Sequence, residues 1–172
     1  SAEVPELVQK VQTVLVRPCF ALMMAFSQAL TSIPVDGYTV TGSTILSCAS
    51  CESRKPGRSN SGSECWVLHS TTEYADQIIS KTSLKKPSDD ILNVVKSDLF
   101  REFQKTAPDI PSPLFMKAHR WGSAFPTTII AKDDKCLWVE NKRVAVCGDF
   151  CVAPDVEGAI LSGLAAASKL LQ

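Results

Sequence analysis

The sequence predicts an α+β fold: a mixed, mainly antiparallel sheet with helices on one face, ending in a strand and a long helix. Three observations carry this expectation. Strand-like segments arrive in runs with helical segments between them, no internal repeat is visible, and Pro154 to Leu171 reads as one long helix of Ala, Leu, Gly and Ser. The 172 residues, 45% apolar and 21% charged, suit a single domain that buries roughly 70% of its unfolded surface.

The elements follow in order. Leu7, Val8, Val11 and Val14 recur at helical spacing after Pro5. Arg17-Pro18 is expected to end that helix. The continuous apolar run Cys19 to Phe26 has strand length and predicts a strand buried on both faces. Pro34, Asp36 and Gly37 mark a turn, and Tyr38 to Cys48 has β-rich composition weakened by Gly42. Ala49 to Glu64, rich in Ser, Gly, Arg, Lys, Pro and Asn, reads as a solvated loop. Cys65 to Thr71 is a strand and Thr72 to Ser80 a short helix. Ser88 is placed to cap a longer helix with Asp89 and Asp90 in its first turn and an apolar stripe of Ile91, Leu92, Val95, Leu99 and Phe103. That helix is expected to stop before Pro108, with Pro111 and Pro113 holding an extended connection to a strand from Leu114 to Trp121 and an irregular stretch from Gly122 to Pro126. Cys136–Glu140 and Val144–Cys147 flank a hairpin turn at Asn141-Lys142-Arg143. The terminal helix spans roughly 25 Å at about 1.5 Å per residue.

Charge and cysteine content narrow the function classes. The 18 basic and 18 acidic residues balance, which argues against a nucleic-acid or anionic-membrane partner. No apolar run approaches the roughly 20 residues of a membrane-spanning helix. Seven cysteines, an odd number, and no Asn-x-Ser/Thr sequon favour free thiols in a reducing intracellular compartment, cytoplasmic or organellar. Glu3, Pro5 and Glu6 break any signal-peptide stretch, and a leading Ser1 fits a processed end.

Several constellations compete for chemistry. Cys48-x2-Cys51 followed by Cys65-x3-His69 has a zinc-like order. On a strand, however, Cys65 and His69 lie about 13 Å apart, whereas two ligands of one zinc must be within about 4 Å; the plainer reading is a buried Cys65 and a pair of loop cysteines. The same Cys48 and Cys51 as a redox dithiol lack the helix N-terminus that lowers a thiol pKa. A Cys/His nucleophile pair has no local signature. His69 and His119 read as strand residues with satisfied rings, and Arg54, Lys55 and Arg58 as three solvated charges at a loop tip.

The most informative segment is the last. Val144 to Asp149 reads as a short strand ending in Gly148-Asp149, and Phe150 to Asp155 leads into Val156-Glu157-Gly158-Ala159-Ile160-Leu161-Ser162-Gly163. A carboxylate at a strand tip can accept hydrogen bonds from a sugar or ribitol hydroxyl, and the N–H groups around Val156 to Gly158 offer donors to an electron-rich ligand atom. Gly158, Ala159, Ser162 and Gly163 allow close packing against a ligand or another helix. The equally open alternative is that Asp149 merely ends a strand and Asp155 caps a helix.

Gly148-Asp149 followed in register by Glu157-Gly158 and Ser162-Gly163 resembles the C-terminal flavin motif of the FAD-dependent amine oxidase superfamily. Trp66 to Thr71, Pro87 to Pro113 and Lys117 to Pro126 further resemble its renalase-like branch, so the likeness runs from about Pro5 onward. It implies a single chain of which residues 5–140 resemble a substrate domain and 141–172 a flavin-contacting strand and helix. The resemblance places Asp149 at the ribitol or pyrophosphate side of FAD, the backbone of Val156 and Glu157 near isoalloxazine N1 and O2, and Trp121 on the substrate side. The implied chemistry is hydride transfer from a small amine or dihydropyridine-like substrate to flavin N5. The Rossmann half with its Gly-x-Gly-x-x-Gly turn has no counterpart among the eight glycines, and Ser63-Glu64 replaces the Lys-Ser/Thr of a phosphate-binding loop. The expectation is therefore a C-terminal half, inactive alone, that dimerises or binds a protein supplying the missing half; the other function class is a non-catalytic, truncated binding or assembly module.

Overall fold

The structure is a computed structural model and describes residues 4–58, 62–82, 87–107 and 109–172. Part of the expected 49–64 loop, and Pro108 itself, lie outside the described residues; the helix expected to stop before Pro108 ends at Gln104. The chain folds as two compact units, Pro18–Gly122 and Ser1–Arg17 with Ser123–Gln172. Both boundaries fall inside strands, and both chain ends belong to the second unit.

In the Pro18–Gly122 unit the strands are β1 (Val16–Phe26), β2 (Gly37–Thr39), β3 (Leu46–Cys51), β4 (Glu64–Ser70) and β5 (Phe115–Pro126), in the spatial order β2-β3-β4-β1-β5. β1 pairs antiparallel with β4, Ala21 opposite His69 and Phe26 opposite Glu64. β3 is antiparallel to both β4 and β2. The Leu114 N–H reaches the Ala25 carbonyl while the Thr127 N–H reaches Leu15, so β5 also runs against β1. The expected antiparallel α+β class is therefore observed.

Alternation along the strands decides the core. Phe20, Leu22, Met24 and Phe26 of β1 point to one face together with Trp66 and Leu68 of β4 and Ala49 and Cys51 of β3. Helices α2 (Thr72–Thr82) and α3 (Asp89–Gln104) supply the other side of this core. Val95, Leu99 and Phe103, one stripe of α3, are fully buried, and the Phe103 ring lies 5.4 Å from that of Trp66. Each such side chain contributes roughly 1.5–3 kcal/mol of burial. Ser88 caps α3 as expected, its hydroxyl accepting from the Ile91 N–H at 3.4 Å. The Tyr74 hydroxyl donates to Asp98 at 2.8 Å and ties α2 to α3.

Four local expectations are corrected. The first helix stops at Gln12, well before Arg17 and Pro18, which lie near the start of β1. Pro18 precedes the ladder with β4, which begins at Ala21, and its missing N–H costs no bond there. The strand expected from Tyr38 to Cys48 is two strands, because Gly42 turns the chain at φ +85° and the Ser43 hydroxyl accepts from the Ile45 and Leu46 N–H groups. The expected 49–64 loop begins and ends in strand: β3 continues to Cys51, and Glu64 is a 4%-exposed residue of β4. At the far end, β5 continues through the stretch expected to be irregular, as far as Pro126.

Arg54, expected at a solvated tip, is instead a tie. Its guanidinium makes two bonds to Glu64 at 3.1 and 3.2 Å and donates to the Ile33 and Val35 carbonyls. It also stands over the Trp66 ring, 5.9 Å from the centroid. Glu64 in turn accepts from the Trp66 indole N–H at 2.5 Å. Sequence composition hid this because the partners come from three separate segments.

The second unit holds α1 (Pro5–Gln12), the hairpin β6 (Leu137–Val139) and β7 (Val144–Val146), the short α4 (Asp149–Val152) and α5 (Val156–Leu171). Arg143, in the left-handed region at φ 50°, closes the expected hairpin turn. The expected terminal helix starts two residues late, at Val156, because Asp155 is its cap. Its buried stripe is small: Gly158, Ser162 and Ala166. On its other side Val156, Ile160 and Leu164 are 77%, 57% and 61% exposed.

Removing the Glu64 carboxylate leaves the Trp66 indole N–H without its acceptor and takes from Arg54 its buried counter-charge. We expect Glu64→Ala to cost about 3 kcal/mol of unfolding free energy by urea titration, with Glu64→Gln milder because it keeps one acceptor for Trp66.

Candidate functional site

The alternation that builds the core leaves a second sheet face, opposite α2 and α3. On it a cavity of about 470 Å³ is lined by Ala21 and Met23 of β1, Val67 and His69 of β4, Glu52, and His119 and Trp121 of β5. These strand positions are out of phase with Phe20, Leu22, Trp66, Leu68 and Ala118, which face the core. Trp121 is 54% exposed, and the His119 ring meets it edge-on with centroids 4.8 Å apart. An apolar floor, two imidazoles and an exposed indole suit a small, flat, partly polar molecule.

His69 is half-buried, and burial pushes its imidazole below the ordinary 6.5, so it is neutral at pH 7. Its Nδ1 lies 3.8 Å from the Cys48 Sγ, its cross-strand partner. Burial also raises the Cys48 thiol above 9.0. The pair is thus a protonated thiol beside a neutral imidazole, and a thiolate nucleophile has no support here. The Lys55 ammonium, 2.6 Å from Glu52, holds that carboxyl below the usual carboxylate range.

The zinc-like order does not assemble a centre. Cys51 is buried in the core on the helix side of the sheet, whereas Cys48 and His69 belong to the other face. Among the described residues no group of three or more His, Cys, Asp or Glu is placed to hold a metal ion. Cys48 and Cys51 are strand residues rather than a loop pair, and Cys65 is only partly buried.

The flavin-motif residues lie together in the second unit. Gly148 follows β7, and its N–H donates to the Ser162 hydroxyl at 3.0 Å. A Cβ there would run into the Phe150 ring. Asp149, expected at a strand tip, opens α4. One carboxylate oxygen accepts from the Phe150 N–H at 2.9 Å, and the other carries no hydrogen bond among those of the described residues. Val156 and Glu157 are exposed at the start of α5. The Gly158 N–H is already taken by the Asp155 carboxylate at 2.6 Å, the capping role weighed for that residue. A Cβ on Gly158 would collide with the Ala153 carbonyl oxygen and lie 2.8 Å from its nitrogen. Gly158 therefore answers to packing within the chain, whereas Asp149 keeps an oxygen that fits a ligand hydroxyl.

Comparison with known proteins places these observations. The family model for flavin containing amine oxidoreductases matches residues 3–171, and the chain belongs to that family. Among solved structures, the fold matches a protein assigned as a protoporphyrinogen oxidase from Exiguobacterium sp. 255-15, with a TM-score of 0.59 at 14% identity. The match covers 100% of this chain and 40% of that one, so the chain spans less than half the length of the structure it resembles. Among the described residues no helix is long and apolar enough to cross a membrane.

Sequence reading singled out Trp121 but not the cavity around it. Met23, Val67, His69 and His119 each look unremarkable alone; the available signal was their common phase on β1, β4 and β5, which needs the strand pairing to be known.

Two outcomes follow for the two units. In the unfolded chain His69 titrates near 6.5 and binds a proton that the folded site resists. Its contribution is present above that value and lost as pH falls through the lower folded value. Urea titrations across this range should show stability falling with pH in the parent chain and less steeply in His69→Gln. On α5, Gly158→Ala should cost about 2 kcal/mol through overpacking. Gly163→Ala, where nothing lies within 4 Å, should stabilise by up to about 1 kcal/mol.

Proposed function

We propose that the chain is the substrate-domain and C-terminal flavin-motif part of an FAD-dependent oxidoreductase of renalase-like type. The family match across residues 3–171 is the observation that carries this reading. Two features of the chain support it: the uncommitted Asp149 oxygen beside the Gly148 turn, and a cavity with one exposed indole and two imidazoles.

In this reading the residues divide the work. Asp149 would accept a hydrogen bond from a hydroxyl on the ribitol or pyrophosphate side of FAD, and the Val156 and Glu157 backbone would hold its N1 and O2 edge. When bound, the flavin supplies a two-electron acceptor that takes hydride at N5 from a small amine or dihydropyridine-like substrate. Trp121 and His119 give that substrate flat surfaces to lie against. His69, neutral and turned through Nδ1 to Cys48, is a neutral hydrogen-bonding group in the cavity for the substrate's nitrogen.

These 172 residues contain no Gly-x-Gly-x-x-Gly spacing. Tight retention of FAD then needs a dinucleotide-binding segment in addition to them, and without it the chain acts as a non-catalytic binding or assembly module. The exposed row Val156, Ile160 and Leu164 is a face on which such a half, or a second copy of the chain, docks.

Titration of FAD into the chain alone should give no saturable quenching at micromolar flavin. Adding a polypeptide that bears the Rossmann half should produce a bound-flavin visible spectrum, and Asp149→Ala should weaken that binding about tenfold, the loss of one charge-assisted hydrogen bond. Failure of any bound spectrum in the mixture would remove the cofactor from this reading. Micromolar binding by the chain alone would remove the need for a second segment.

A further inference from the structure

Three thiols gather in the second unit. Cys136 precedes β6, Cys147 follows β7, and Cys151 lies in α4. The hairpin register sets Leu137 opposite Val146, Trp138 opposite Ala145 and Val139 opposite Val144. Continued by one step, it sets Cys136 opposite Cys147. Directly opposed residues of an antiparallel pair point to the same face with Cα atoms about 4.5 or 5.5 Å apart. That spacing falls within the roughly 4.4–6.8 Å that a disulfide spans. A charge on Cys147 is also felt at Cys136, which places the two thiols in one electrostatic neighbourhood.

The two differ in access. Cys136 is 2% exposed and Cys147 is exposed. A reagent in solution meets Cys147 first, with a second thiol behind it. Cys151 is fully buried and its Sγ is directed at the Val146 carbonyl at 3.8 Å. The trio is not a metal centre, since no such group is placed to hold an ion among the described residues.

We propose that Cys136 and Cys147 form a redox-modification site, which hydrogen peroxide converts to a cross-strand disulfide. The Cys147 thiolate attacks one peroxide oxygen, the O–O bond breaks, and the departing hydroxide takes up the thiol proton as water, leaving a sulfenic acid on Cys147. Cys136 then attacks that sulfur, the S–S bond forms, the S–O bond breaks, and the second water leaves with the Cys136 proton. Two thiols are oxidised by two electrons and one peroxide is reduced to two waters. The bridge closes the β6–β7 hairpin one residue before Gly148. It rests on the hairpin register alone and stands whether or not the chain binds FAD.

The test uses the reduced chain, treated with stoichiometric hydrogen peroxide, alkylated with iodoacetamide and analysed by mass without reductant. The expected product is two hydrogens lighter and takes up two fewer alkyl groups. Trypsin cuts after Lys135, Lys142 and Arg143 and so separates Cys136 from Cys147, while cleavage before Asp149 separates Cys147 from Cys151. The linked peptides should contain Cys136 and Cys147, the link should survive Cys151→Ser, and dithiothreitol should release it. A link from Cys151 to either other thiol as the main product overturns the proposal. So does stable oxygen addition to Cys147 without any link, or a Cys136 link that persists in Cys147→Ser.

Discussion

β1 and β4 pair in a single register, Ala21 opposite His69 and Phe26 opposite Glu64, and the Pro18–Gly122 unit depends on that pairing. A slip of one residue in either strand would turn its side chains to the other face. Phe20, Leu22, Met24, Trp66 and Leu68 would leave the helices, and Ala21, Met23, Val67 and His69 would be driven among them. Because the apolar cost of that exchange is several large side chains, the register that builds the core also places the cavity residues. Core and site are two faces of one constraint.

The Arg54–Glu64–Trp66 tie works in the same frame. Glu64 occupies a core-facing position at the end of β4, where an unpaired carboxylate would be expensive to bury. Arg54 and the Trp66 indole satisfy it, and Arg54 also holds the Ile33 and Val35 carbonyls. The charge-rich segment after β3 is thereby anchored to the sheet instead of projecting from it. Glu52, carried just before Arg54, reaches the cavity as part of the same turn.

The second unit is governed by small residues. Gly158 lets the start of α5 sit on the Ala153 backbone, and buried Ser162 links the Gly148 N–H to the Lys135 carbonyl. These contacts set the Gly148-Asp149 turn against α5. They also separate two roles that a motif presents as one. Gly158 serves the fold, while Asp149 has one oxygen bonded to its neighbour's N–H and the other unbonded among the described residues.

Legible in the amino-acid order alone were the α+β class, the order of most elements, the Ser88-capped helix with its Val95, Leu99 and Phe103 stripe, and a resemblance to the flavin amine oxidases at Gly148-Asp149, Glu157-Gly158 and Ser162-Gly163. These are local signals: caps, periodicities and short spacings act between residues a few positions apart. That Glu64 is buried, that Arg54 is a tie, that Cys51 and Cys48 face opposite sides of the sheet, and that His69, His119 and Trp121 share one cavity emerge from long-range packing. Each of those facts is a relation between segments distant in the chain. Strand pairing creates it, and neither composition nor spacing carries the register.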